Sequence, residues 1–134
     1  MLERKHYTQF TNEEMEVINQ KQKKAFVKGF AKHAIERMNE REVNEFFSKN
    51  DFYKTVRNGN VIEVSNRGNN DVRMLVRSKF SKQGKNLVLS YSFKWKKVVT
   101  CWTNETNDNH ATINMKLYNE DMDVTVLFWA VTPR

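Results

Sequence analysis

The sequence predicts an α+β domain, with N-terminal helices packed on a curved antiparallel β-sheet. Between Thr11 and Gly59 apolar residues recur at helical spacing; after Asn60 the repeat shortens to two. Helices followed by a run of strands joined by short turns imply segregated layers. With 39% hydrophobic residues and nine Phe, four Tyr and three Trp in 134 positions, the chain can bury a core as a single domain, 1–134.

Residues 1–10 read as a loose N-terminus. Thr11-Asn12-Glu13-Glu14 is a capping box, with acidic residues in the first helical turn. The helical pattern runs on to about Glu42, and Gly29 is the position that would interrupt it. Asn44 is placed to cap a second helix that packs through Phe46, Phe47, Tyr53 and Val56 and stops at Asn58-Gly59. Val61 to Val64 is a short strand, and Arg67-Gly68-Asn69-Asn70 a turn. From Asp71 to Phe80, Val72, Met74 and Val76 face one way and Arg73, Arg77 and Lys79 the other. After the turn Ser81-Lys82-Gln83-Gly84, Leu87, Leu89, Tyr91 and Phe93 line one face of the next strand. Lys94-Trp95-Lys96-Lys97 turns into Val98–Thr103, where Val98, Thr100 and Trp102 should share a face. Asn104 to Asn109 is a polar loop. Thr112–Tyr118 and Val124–Val131 read as two further strands, making 105–134 a C-terminal extension of the sheet.

The net charge of +7 is unevenly spread. Residues 1–45 hold nine Lys/Arg against eight Asp/Glu, residues 46–100 twelve against three, and residues 101–134 two against five. A basic middle block points to nucleic acid, although a solvated surface has the same composition. Cys101 stands alone, so no internal disulfide forms, and a reducing, cytoplasmic setting is expected. No Cys/His pair has zinc spacing, and neither a metal nor another cofactor is expected. The N-terminus does not read as a signal peptide, and no apolar run reaches membrane-spanning length, so no membrane partner is expected.

The segment Lys32-His33-Ala34-Ile35-Glu36-Arg37-Met38-Asn39-Glu40-Arg41-Glu42-Val43 places His33, Arg37 and Arg41 at steps of four. On a helix they climb one side together. At about 100° per residue, His33 and Arg37 border the apolar arc, whereas Arg41 falls inside it. Arg41 is therefore expected as a structural anchor, with Glu63 or Asp71 as candidate partners. His33 and Arg37 could equally be border residues that cover the core edge with their stems.

The run from His33 to Val43 resembles the opening motif of RelE-like toxins, within the barnase–EndoU–colicin–RelE group of small metal-independent ribonucleases. It is also similar to the His-x-x-x-Arg segment of phage-encoded endoribonucleases that cut early viral messages. The order of elements agrees over roughly residues 30–104. Two features depart: Glu42 stands where a Gly is usual, and some thirty residues follow the usual last strand. The resemblance implies a RelE/barnase-like fold, cleavage of single-stranded RNA, and a phage or toxin origin, hence a host cytoplasm.

Such cleavage uses the 2′-hydroxyl as nucleophile, with a general base, a general acid and cations for the phosphoryl charge. His33 and His110 are candidates for the acid–base pair and Arg37 for the phosphate clamp. Arg73, Arg77 and Lys97 could add positive charge, Trp95 could stack a base, and Tyr118 could donate a proton or hydrogen bond. Other readings remain: a non-catalytic RNA-binding protein, an inhibitor of an acidic host protein, or a virion component on the same fold. An acidic inhibitor is a further candidate partner.

Overall fold

The structure is a computed structural model describing residues 2–108 and 115–131, with the backbone alone at Arg41, Met115, Ala130 and Val131. The N-terminus, expected to be loose, is a strand, β1 (Glu3–His6), followed by a 3-10 turn (Tyr7–Gln9). The capping box then opens α1 (Asn12–Lys24): the Thr11 hydroxyl accepts from the Glu14 N–H, and Glu14 accepts from the Thr11 N–H. The expected long helix to Glu42 is broken into separate elements. At Gly29–Phe30 the chain gives up helical bonds for a parallel ladder with Lys97–Val98, forming β2. Then come α2 (Lys32–Met38), α3 (Arg41–Phe46) and α4 (Lys49–Asn58). Ser48, not Asn44, caps the last of these, in a second reciprocal box with Asp51. The stop at Asn58-Gly59 is as expected.

Four strands follow as an antiparallel meander: β3 (Asn60–Asn66), β4 (Val72–Arg77), β5 (Lys85–Ser92) and β6 (Lys97–Glu105). With the two N-terminal strands they make one six-stranded sheet, order β1-β3-β4-β5-β6-β2. The register stacks Val64, Met74, Tyr91 and Val98 in one row and Val76, Leu89 and Cys101 in the next, all buried. The helices cover this face: Ala34, Val43, Phe47, Phe52 and Val56 meet those rows, and Ile18 of α1 meets Val64 and Val72. Fold class is thus mixed α+β, with helices on one side of an open sheet.

Three expectations about the sheet fail. A bulge opposite Ser90/Tyr91 inserts Val99 as an extra residue, so Val98 and Cys101 point inward while Thr100 and Trp102 point outward. And Val124–Val131 is a helix, α5, not a strand. Its β-branched composition is overruled at its first turn. Asp123 accepts from the Thr125 and Val126 N–H groups, and the Glu14 carboxylate takes the Val124 N–H. Met115–Leu117 is a 3-10 turn, also not a strand; Thr112 to Asn114 lie outside the described residues. No helix among the described residues is long and apolar enough to cross a membrane.

Gly59 marks the tightest junction. A Cβ there would lie 2.6 Å from the Thr55 carbonyl oxygen and from Val76 Cγ1, and 2.7 Å from the Arg77 carbonyl oxygen. Gly59→Ala is therefore expected to cost about 1–3 kcal/mol, since backbone must move to admit the methyl. A urea unfolding midpoint equal to the parent's would show that this contact is soft.

Candidate nucleic-acid interface

The histidine helix is anchored by one buried residue, Ala34, whose carbonyl lies against the Cys101 thiol of β6. Burial pushes that thiol up to about 12, which leaves it uncharged and unreactive at neutral pH. The neighbours of Ala34 point outward. His33 and Arg37 are exposed and face carboxylates of their own turn: His33 Nδ1 is 3.8 Å from Glu36, and Arg37 donates to Glu40 at 2.8 Å. The helix ends at Met38, and a new one starts at Arg41. The staircase of three therefore breaks before its last step. The Arg41 side chain lies outside the described atoms, as does all of His110. The carboxylates proposed for Arg41 are engaged elsewhere, Glu63 by Arg4 and Tyr118 and Asp71 by Arg73 and Ser92.

Three residues expected on a binding face are internal fasteners instead. Arg73 is paired with Asp71 at 2.8 Å. Burial pushes the Asp71 carboxyl up, but hydrogen bonds from Arg73 and Ser92 outweigh it and hold the group below the usual carboxylate range. Arg77 is buried and tied to Asn86 and to the carbonyls of Glu105 and Thr106. Tyr118 donates to Glu63 at 2.8 Å and lies under the Arg4 guanidinium. Burial, then the Glu63 carboxylate, push its hydroxyl up to about 12, far from a useful proton donor. The period-two pattern gives the face of Arg73 and Arg77 correctly, but not that the face is occupied.

The other two, Trp95 and Lys97, do share an open surface. Residues 17–35 carry five Lys and no Asp or Glu, and residues 72–104 carry eight Lys/Arg and no Asp or Glu. The fold joins these runs at the β5–β6 turn. The Lys28 N–H donates to the Lys96 carbonyl, Gly29 pairs with Lys97, and the buried Tyr91 hydroxyl donates to the Phe26 carbonyl. Two rings stand out of this surface, Phe26 at 54% and Trp95 at 55% exposure. The Lys96 ammonium lies 5.4 Å from the Phe26 ring centre and that of Lys94 5.0 Å from Trp95. Lys28, Lys94 and Lys97 are exposed around them. Phe26, Lys28 and Lys96 escaped the sequence reading. The two acid-free runs, Val17 to Ile35 for Phe26 and Lys28 and Val72 to Asn104 for Lys96, were their signal.

Rings with ammonium groups beside them can stack bases while the cations meet phosphates. No group of three or more metal-ligating side chains is present among the described residues. Compared with models of protein families, with curated proteins and with solved structures, the chain matches none.

Proposed function

We propose that this protein binds single-stranded RNA through the surface built from Phe26, Lys28 and the Lys94–Lys97 turn. The observation that carries this reading is the meeting of two acid-free, lysine-rich stretches around two exposed rings. Stacking serves any base, so affinity should depend little on sequence and strongly on salt.

A second reading is that bound RNA is also cut, by a metal-independent endoribonuclease chemistry centred on His33 and Arg37. It is favoured by position: α2 follows directly from β2, whose ladder partner is Lys97, so the exposed imidazole starts on the helix next to the binding surface. His33 would take the 2′-hydroxyl proton as the 2′-oxygen attacks phosphorus, Arg37 would meet the phosphate after releasing Glu40, and the 5′-oxygen would leave with a proton from water.

Labelled single-stranded RNA incubated with the protein in EDTA tests both. Binding by the parent and about 5- to 150-fold weaker binding by Trp95→Ala are expected, from the roughly 1–3 kcal/mol of one stacked base. Equal binding by the two removes this surface from the proposal. Fragments ending in 2′,3′-cyclic phosphate, lost in His33→Ala with folding retained, would establish cleavage. Binding without such fragments leaves a non-catalytic RNA-binding protein.

A further inference from the structure

A second concavity lies away from this surface, at the other ends of β4 and β6. It is an open groove of about 880 Å³ between α1, the Tyr7–Phe10 segment, the α4–β3 junction and the end of β4. That volume suits an organic ligand of moderate size. Four cationic residues line it, Lys23, Arg57, Arg77 and Lys79, and no carboxylate does among the described residues.

Arg77 is the informative member. It is only 7% exposed, yet among the described residues its guanidinium is held by neutral oxygens: Asn86 Oδ1 at 2.8 Å and the carbonyls of Glu105 at 2.8 Å and Thr106 at 3.1 Å. By contrast Arg4, Lys5 and Arg73, also buried or half-buried, each have a carboxylate within 2.8 Å. A buried charge satisfied in hydrogen bonds but not in charge still favours an anion beside it. The neighbours in the groove add to that field. Arg57 donates to the Lys23 carbonyl, and Lys79 is exposed.

The rest of the wall is not what a bare inorganic anion needs. Phe10 and Val61 are half-buried there, and Met15 is 48% exposed, so open apolar surface lines the groove together with the cations. Asn60–Ile62 also line it, beyond the last β1–β3 pair at His6 and Glu63. Asn19, Asn58, Asn60 and Asn86 add polar amide groups to the same lining. An anionic head with a flat, partly polar ring matches all three.

We propose that this groove is a nucleotide site, with the phosphate among Arg77, Lys79, Lys23 and Arg57 and the base against Phe10 and Met15. The nucleotide can be free or the phosphorylated 5′ end of a strand, since both present the same chemistry.

Titrating the full chain with adenosine monophosphate, adenosine, inorganic phosphate and a short 5′-phosphorylated oligonucleotide, followed by amide chemical shifts, tests this. Shifts at Lys79, Asn60 and Phe10 are expected with the monophosphate, and at least tenfold weaker binding of adenosine. Stronger binding of the phosphorylated oligonucleotide would assign the site to a strand end, and equal binding to a free nucleotide. Lys23→Glu/Lys79→Glu, both exposed and remote from the core, should lose at least tenfold in monophosphate affinity with an unchanged melting temperature. Trp95→Ala should leave that affinity intact, which keeps this result separate from RNA binding at the β5–β6 turn. The site is overturned if the monophosphate leaves these amides unmoved, if adenosine binds equally well, if the double variant binds as the parent does, or if an oligoglutamate peptide displaces the nucleotide at lower concentration.

Discussion

Replacing Glu14 with Ala is expected to remove about 3–5 kcal/mol of folding stability, because it strands a buried ammonium. Lys5 points from β1 into the helix-covered face, where its side chain is 6% exposed. Its Nζ donates to both Glu14 oxygens, at 2.8 and 2.9 Å, and to the Met122 carbonyl at 3.0 Å. The same carboxylate accepts from the Thr11 and Val124 N–H groups. One side chain thus closes the capping box of α1, neutralises β1 and starts α5. Domains of this size are commonly stable by about 5–15 kcal/mol, so the loss is a large share of the whole. It should appear as a lower urea midpoint with both β1 and α5 unprotected in hydrogen exchange. A midpoint within about 0.5 kcal/mol of the parent's would mean that the pair adds nothing beyond an exposed one.

The same pair sets an acid dependence. Burial pushes the Glu14 carboxyl up, but Lys5 and the two backbone N–H groups outweigh it, so its folded pKa lies below the ordinary value. A depressed carboxyl stabilises the fold above its unfolded pKa and loses that contribution as pH falls through the folded value. Asp51 and Asp71 are lowered as well and act in the same direction. The Glu14 share is therefore read as a difference: the stability gap between parent and Glu14→Ala should narrow as pH drops below about 4.

This pair also shows why part of the fold was legible and part was not. The meander could be read because its turns need special backbone and advertise it. Gly68, Asn69 and Asn70 in the first, and Gln83 and Gly84 in the second, all take positive φ. Between them Val72, Met74 and Val76 keep the two-residue repeat of the helix-covered face, and beyond the second turn Leu87, Leu89 and Tyr91 keep it too. β1 has no such signature. Its residues Glu3-Arg4-Lys5-His6 are polar, and the burial of Lys5 depends on a carboxylate that the helix brings from nine positions away. His6 is fully buried against Tyr7 and Tyr118, a contact between the two ends of the described chain. α5 misleads because isolated β-branched residues favour strands, and only the Asp123 and Glu14 acceptors convert the segment. At the candidate site the spacing of His33 and Arg37 correctly placed both on the outside of a helix. It could not show that each already faces a carboxylate, nor that Phe26 and Trp95 come together.

The charge at the β5–β6 turn predicts the second large effect. Lys28→Gln/Lys96→Gln/Lys97→Gln is expected to weaken single-stranded RNA binding about 100-fold at 0.1 M salt. Each phosphate contact on a single strand releases about 0.7 counterion, worth roughly fivefold in affinity at that concentration, and three such factors multiply. The more diagnostic quantity is the slope of log affinity against log salt, which should become shallower by about 2. Trp95→Ala should instead lower affinity with its slope unchanged, because stacking releases no counterions. That contrast separates a real interface from a diffuse basic surface. With a net charge of +7, a chain that merely attracts polyanions would lose a similar small amount for any three lysines removed. Lys21→Gln/Lys54→Gln/Lys116→Gln supplies that comparison at positions in α1, in α4 and in the second 3-10 turn, away from the β5–β6 turn. If the two triple variants fall equally, the turn is not the binding site, however basic it is. If only the first falls, the two acid-free stretches joined by the Lys28–Lys96 hydrogen bond form one directed contact, and Lys28, Lys96 and Lys97 carry its phosphate half.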